Sequence, residues 1–127
     1  MHINLESDYA VRIVYQMVRL GTRCDAHTVA EATGVSQRFT LKIMGKLVAA
    51  GVVNSFKGAR GGYELARPAA EITLRQVIEA VEGPYRFSRC VDGDYDCAHT
   101  GCPFHAVFDD VTRTVVAKLD TLTFDRF

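Results

Sequence analysis

A mainly α-helical fold with one small β-hairpin is what this sequence predicts, and three observations carry the prediction. Apolar residues recur at three- and four-residue spacing in five stretches, each bounded by residues that start or stop helices. A β-rich run, VVNSF, precedes a glycine-rich tip, KGARGG, and a second short run, YELA. With 127 residues, 48% of them hydrophobic and 24% charged, the chain is long enough for one core and is not disordered in composition.

The first helix is expected over Glu6–Leu20, where Ala10, Ile13, Val14, Met17 and Val18 share a face and Gly21 ends the pattern. A short second helix follows Asp25 as N-cap and stops before Gly34, with Val29, Ala30 and Ala32 inward. TGVS then turns the chain, Ser36 caps, and a third helix runs from Gln37 to about Ala50. Phe39, Ile43 and Leu47, with Met44 and Val48 beside them, are expected to face the core. Arg38, Leu41, Lys42, Gly45 and Ala49 are left outside. Two helices joined through a glycine turn and followed by a hairpin make a winged helix-turn-helix.

Pro68 breaks the hairpin, and TLRQ is a capping box with Thr73 and Gln76. It opens a helix through Val77, Ile78 and Val81 to Gly83. After Pro103, suited to a first helical turn, a helix of about twenty residues is expected. It lines up Phe104, Val107, Phe108, Val111, Val115, Leu119 and Leu122 on one face. That stripe is more than one small winged domain covers. It points to a homodimer through the same helix of a second copy, to packing on the first helix, or to both. The expected division is a winged helix-turn-helix at 1–67, a bridging helix and ligand loop at 68–102, and a dimerisation helix at 103–127.

The formal net charge of zero conceals an asymmetry: nine Lys/Arg against five Asp/Glu up to Arg67, then six against ten. A basic front and an acidic back suggest that the front meets a polyanion. Ser36, Gln37, Arg38 and Thr40 sit where a recognition helix reads base edges, and Arg38 suits a bidentate pair with guanine. Lys42 is on the same outer face. Lys57 and Arg60 on the glycine tip suit phosphates or a minor groove, completing the expected contacts with double-stranded DNA. No apolar run approaches the ~20 residues of a membrane span. MHINLESDYAVR has early acids and no apolar signal region, so a cytoplasmic chain with no membrane partner is expected.

RCVDGDYDCAHTGCPFH holds three of the four cysteines in the spacing Cys90-x6-Cys97-x4-Cys102, with His105 two residues further on. In a reducing compartment such clusters bind metal or do redox chemistry more often than they form disulfides. DGDYD resembles the start of a calcium loop, but Cys97 stands where that loop needs glycine and Pro103 where it needs glutamate. Zinc and an iron–sulfur cluster both suit the donors, and ligand chemistry alone leaves them level. Catalysis by a Cys–His pair lacks an oriented base. Cys24 reads as a small buried apolar residue, and Tyr63 and Phe87 as packing.

SDYAVRI, GVSQRFTLKIMGKLVAAGVV, KGARGGYELA, ITLRQVIEAVEG and the cysteine loop together resemble the bacterial iron–sulfur winged-helix regulators, the family of IscR, NsrR, RirA and CymR. The resemblance implies a homodimeric DNA-binding regulator, not an enzyme. Its cluster would report iron–sulfur status, redox state or nitric oxide, and its operator would have dyad symmetry. Cys90, Cys97 and Cys102 match the family's cysteine ligands. His105 matches the histidine completing a 2Fe–2S site in IscR-like members, with His99 a substitute. Asp8 matches the acid that reaches a 4Fe–4S cluster from the partner subunit in NsrR-like members. The 2Fe–2S reading with His105 is the expectation; 4Fe–4S with Asp8, or zinc, are the alternatives. Leu41 departs from the family, since IscR-like members carry a glutamate there.

Overall fold

Four of the five helices begin where a side chain accepts one of the N–H groups that a helix start leaves free. Asn4 accepts from Ser7 N (2.8 Å) and Asp25 from Thr28 N (2.7 Å). Ser36 accepts from Phe39 N (3.2 Å), and Thr73 from Gln76 N (3.1 Å). Gln76 Oε1 accepts in return from Thr73 N at 3.0 Å, completing the capping box. In the computed structural model, which describes residues 3–127, these starts open α1 (Leu5–Leu20), α2 (Ala26–Thr33), α3 (Gln37–Ala49) and α4 (Leu74–Glu82). A fifth helix, α5 (Pro103–Asp120), begins at Cys102 with no side-chain cap and with proline in its first turn. Gly21 and Gly34 end α1 and α2 at φ of 65° and 73°, where an L side chain is strained.

Between α3 and α4 the chain makes β1 (Val53–Phe56) and β2 (Gly62–Leu65), an antiparallel pair in the register Val53↔Leu65 to Phe56↔Gly62. Three-residue 3-10 turns follow at Ala69–Glu71, Arg89–Val91 and Phe124–Arg126. The architecture is mainly helical with a two-stranded wing, as the periodicity predicted. No helix of the described residues is long and apolar enough to cross a membrane.

The core gathers Ala10, Ile13, Val14 and Met17 of α1, Val29 of α2, and Ile43, Met44 and Leu47 of α3. Val52, Val53, Ile72 and Val77 complete it with Phe124, a residue the sequence reading left unassigned. Phe124 is 1% exposed, and its N–H donates to Ile72 O at 3.1 Å. Leu74 N donates to Leu122 O at 2.8 Å, so the segment after α5 is fastened along the entry to α4.

Two expectations for helix faces are corrected. The inward row of α3 keeps Ile43, Met44 and Leu47 as expected, but Thr40 rather than Phe39 begins it, and Phe39 is 41% exposed. Phe39 lies in the first turn, where its ring meets Tyr9 edge-on at 6.0 Å outside the core. Ala32 faces solvent because α2 is only two turns long and buries Ala26, Val29 and Ala30. Gly45 has ordinary helical backbone, and a Cβ there would meet nothing within 4 Å. Glycine in such a place costs roughly 1 kcal/mol relative to alanine and gives the fold nothing in return. Phe124→Ala should lower unfolding free energy by about 3–5 kcal/mol, because little can collapse into the space left. Denaturant titration of the variant against the parent checks this.

Candidate nucleic-acid interface and cysteine hollow

On α3, the exposed residues Gln37, Arg38, Leu41, Lys42 and Gly45 follow the exposed cap Ser36. Arg38, Phe39 and Lys42 line one surface hollow. Thr40 is different: it is fully buried in the inward row, so it cannot meet a base edge, and its assignment to DNA contact is corrected. Its hydroxyl has no hydrogen-bond partner among the described residues.

Lys42 is not free of its own protein. Its Nζ donates to Glu6 Oε1 at 2.5 Å, and Lys46 Nζ donates to Glu6 Oε2 at 2.7 Å, joining the start of α1 to α3. Hydrogen bonding from Lys42 first, and then from Lys46, brings the Glu6 carboxyl down to about 2. Glu6 and its lysines are thirty-six and more residues apart, so helical spacing gave no hint of the pairing.

Lys57 and Arg60 are exposed on the tip between β1 and β2. The sequence reading missed how this tip is held. Arg23 places its guanidinium 3.4 Å from the Phe56 ring centre, donates to Arg60 O at 3.0 Å, and pairs with Glu64 at 3.4 Å. Backbone bonds between Cys24 and Tyr63, at 2.9 and 2.7 Å, dock the hairpin on the segment before α2. The approach is so close that a Cβ on Gly62 would lie 2.7 Å from Cys24 O, and one on Gly61 2.6 Å from Phe56 O. Cys24 is half-buried there, and that burial pushes its thiol up.

The cysteine loop lies against the N-terminal end of α5. Cys90, Cys97 and Cys102 line one hollow of about 310 Å³ together with His99 and His105, and Phe104 and Phe108 form its apolar wall. The three thiols are half-buried and unpaired, while both imidazoles are exposed. Among the described residues no group of three or more such side chains is drawn into a finished metal cage. The donors are nonetheless soft sulfur and borderline nitrogen with no carboxylate among them, a set that suits zinc or iron–sulfur and not a hard cation. Cys102 stands at the N-terminus of α5, where free N–H groups favour negative charge. Asp8 is elsewhere, on α1, ion-paired to Arg12 at 2.9 Å, and does not line the hollow.

One buried residue that the sequence did not advertise fixes the loop. Thr112 of α5 accepts from Phe87 N at 3.0 Å and donates to Phe108 O at 2.8 Å. The Phe87 ring packs on Phe108 at 5.3 Å, and the Arg86–Asp92 pair at 2.9 Å closes the loop's first half. A threonine at helical spacing among valines gives no sequence signal of such a role.

Known proteins resemble this arrangement along its length. The model of the Rrf2 family, described as an iron-dependent transcriptional regulator, matches residues 3–127. The chain belongs to the Rrf2 family. Its relatives are regulators of transcription and not enzymes. A Rhizobium meliloti protein, aau3, is 35% identical over 99 residues, 76% of this chain and 64% of its own length. Rv1287 of Mycobacterium tuberculosis, assigned by inference as an HTH-type transcriptional regulator, is 35% identical over 121 residues. That match covers 94% of this chain and 73% of Rv1287. The Rrf2 chain thus spans about two thirds to three quarters of the length of these relatives. Among solved structures, IscR of T. potens superposes with a TM-score of 0.77 at 23% identity, over 98% of this chain and 84% of that one. CymR, the global cysteine regulator of B. subtilis, gives 0.79 at 20% identity, over 98% and 94%. These two likenesses establish the winged-helix fold.

Thr40→Val should leave affinity for duplex DNA unchanged and raise unfolding free energy by about 1 kcal/mol, since it removes a buried hydroxyl without a partner. Paired binding and denaturant titrations check it. For Glu6 the folded value of about 2 lies below the ordinary 4.5. The stability that the Lys42–Glu6–Lys46 link contributes is therefore complete above about pH 4.5 and lost as pH falls toward 2. The Tm difference between the parent and Glu6→Gln should be constant at neutral pH and shrink on acidification below that point, as thermal melts across pH will record.

Proposed function

We propose that this Rrf2 protein is a cytoplasmic, homodimeric DNA-binding regulator whose hold on an operator is set by an iron–sulfur cluster on Cys90, Cys97, Cys102 and His105. The observation that carries the reading is the single hollow in which all four residues meet, on the loop between α4 and the N-terminus of α5. A bound cluster would supply a one-electron couple and a covalent tie among thiolates that are otherwise spread along the loop.

The chain's own residues do the rest. Phe104 and Phe108 wall the hollow, while Thr112 and Phe87 hold its edge. The outer face of α5 is the dimer surface: Phe104 and Val107 are 61% and 55% exposed, and Val111, Val115 and Leu119 are only half-covered. A second α5 covers that stripe, and two-fold pairing presents two recognition helices to half-sites about one DNA turn apart, hence an operator with dyad symmetry. Ser36, Gln37, Arg38 and Lys42 contact the duplex from α3, and Lys57 and Arg60 from the wing. Binding is accordingly steeply salt-dependent.

The fourth ligand is His105 in a 2Fe–2S site, since it shares the hollow with the thiols and needs no second copy to reach them, with His99 in the same hollow as its substitute. A 4Fe–4S site would recruit Asp8 from a second copy and would have to break its pair with Arg12. Loss or oxidation of the cluster, through iron–sulfur shortage, redox change or nitric oxide, is the signal.

Anaerobic purification followed by the visible spectrum and by iron, sulfide and zinc content tests this reading. Red-brown protein with about two irons and two sulfides per chain is expected. About four of each would exchange His105 for Asp8. Colourless protein that holds one zinc and resists reconstitution would replace the sensor with a zinc-stabilised winged-helix regulator.

A further inference from the structure

The first turn of α1 carries a carboxylate whose two oxygens are both bound to the recognition helix. Glu6 Oε1 accepts from Lys42 Nζ at 2.5 Å, and Glu6 Oε2 accepts from Lys46 Nζ at 2.7 Å. The lysines stand four residues apart on one side of α3, so a single carboxylate reaches both. An acid in the first turn of a helix complements the helix dipole wherever its side chain points. That does not account for a grip on two ammoniums of another helix, and surface ion pairs of this kind add little to stability. The effect on charge is larger. Among the cations of α3 and the wing tip, Arg38, Lys57 and Arg60 form no ion pair with the described residues, while Lys42 and Lys46 are compensated by Glu6.

We propose that Glu6 is a positioning residue for DNA binding, one that holds Lys42 and Lys46 off the phosphates of a duplex until the remaining contacts of α3 and the wing have seated it. This role rests on the proposed DNA-binding function and adds how unwanted sequences are refused. A phosphate brought to either ammonium meets the Glu6 carboxylate at close range, and two anions on one cation repel each other unless one of them leaves. Free lysines would meet the phosphates of any sequence, which supplies affinity without discrimination. Held lysines withhold that share. Arg38, Lys57 and Arg60 remain for first contact, and only a duplex that also satisfies the base-reading side chains of α3 offsets the loss of the Glu6 pairs. Glu6 is the least exposed of the three side chains, so the lysines move and the acid stays. Lys42, the most exposed of them, lets go first.

The test uses the full chain and two duplexes, one of random sequence and one selected from a random pool by the parent protein, each titrated across salt concentration. Glu6→Gln keeps the shape of the side chain and removes its charge. It should bind the random duplex roughly ten-fold more tightly than the parent, with a log–log salt slope steeper by about 1 for each lysine released. Affinity for the selected duplex should rise less, so the preference for it falls. Tighter binding by a variant that melts no higher than the parent is a combination that misfolding does not produce. Glu6→Asp, which keeps the charge on a shorter arm, should stay closer to the parent than to Glu6→Gln. Lys42→Gln should lower the random-duplex slope by about 1 in the Glu6→Gln background and by clearly less beside an intact Glu6. Equal random-duplex affinity and slope in the parent and Glu6→Gln would overturn the role of Glu6 and leave DNA binding standing. Weaker binding by Glu6→Gln would overturn it too, by showing that the carboxylate presents the lysines to phosphates. Absence of salt-dependent binding to any duplex, in parent and variant alike, would overturn both the role and the function beneath it.

Discussion

Helix α1 has to be covered on several sides at once, and that requirement organises the rest of the molecule. Ile13, Val14 and Met17 are buried by contacts from α2, α3, α4, β2 and the C-terminal 3-10 turn together. No one of those elements could bury the face alone, and each of them leaves its own apolar side uncovered without α1. The N-terminal end of α1 is tied as well. Ser7 Oγ and Asn4 N donate to Glu82 Oε1 at the end of α4, at 2.6 and 2.9 Å, and Glu6 gathers Lys42 and Lys46 from α3. The segment that positions the recognition helix is thus fastened to the segment from which the cysteine loop departs.

The two functional regions are held by different physics. Backbone bonds, an arginine over an aromatic ring and two glycines with no room for a Cβ fix the wing, whose shape is set by close approach. The cysteine loop has few such constraints. One buried threonine, one aromatic pair and a surface ion pair hold it, and its thiols line the hollow without touching a common centre. A loop held by so few contacts has low local stability, the property that ligand-binding segments draw on.

The helices and the wing were legible in the sequence because their signals are local. Caps at Asp25, Ser36 and Thr73, stops at Gly21 and Gly34, and periodic apolar faces each act within a few residues. What escaped the reading was set by contacts across the chain. Phe124 is a core residue only because the tail returns to Ile72, and Thr112 anchors a loop twenty-five residues away. Phe39 and Thr40 exchanged roles in the first turn, where the Phe39 ring meets Tyr9 outside the core, a contact across the chain that neither residue type announces. The cysteine loop was recognisable by spacing. His99 and His105 stand on either side of the turn at Gly101 and both line its hollow, while Asp8 lies on α1.

The division of α3 into an inward row that closes the core and an outer face on which Gln37, Arg38, Leu41 and Gly45 lie exposed has a consequence over generations. Gln37, Arg38, Leu41 and Gly45 can each be exchanged without disturbing the packing of Ile43, Met44 or Leu47, so changes there escape the stability threshold that eliminates most substitutions. After gene duplication, one copy could drift to a new binding site through a handful of codons while its scaffold, wing and cysteine loop stayed under selection. The sequence on the outer face of α3 is easily rewritten, and the scaffold that presents it is not.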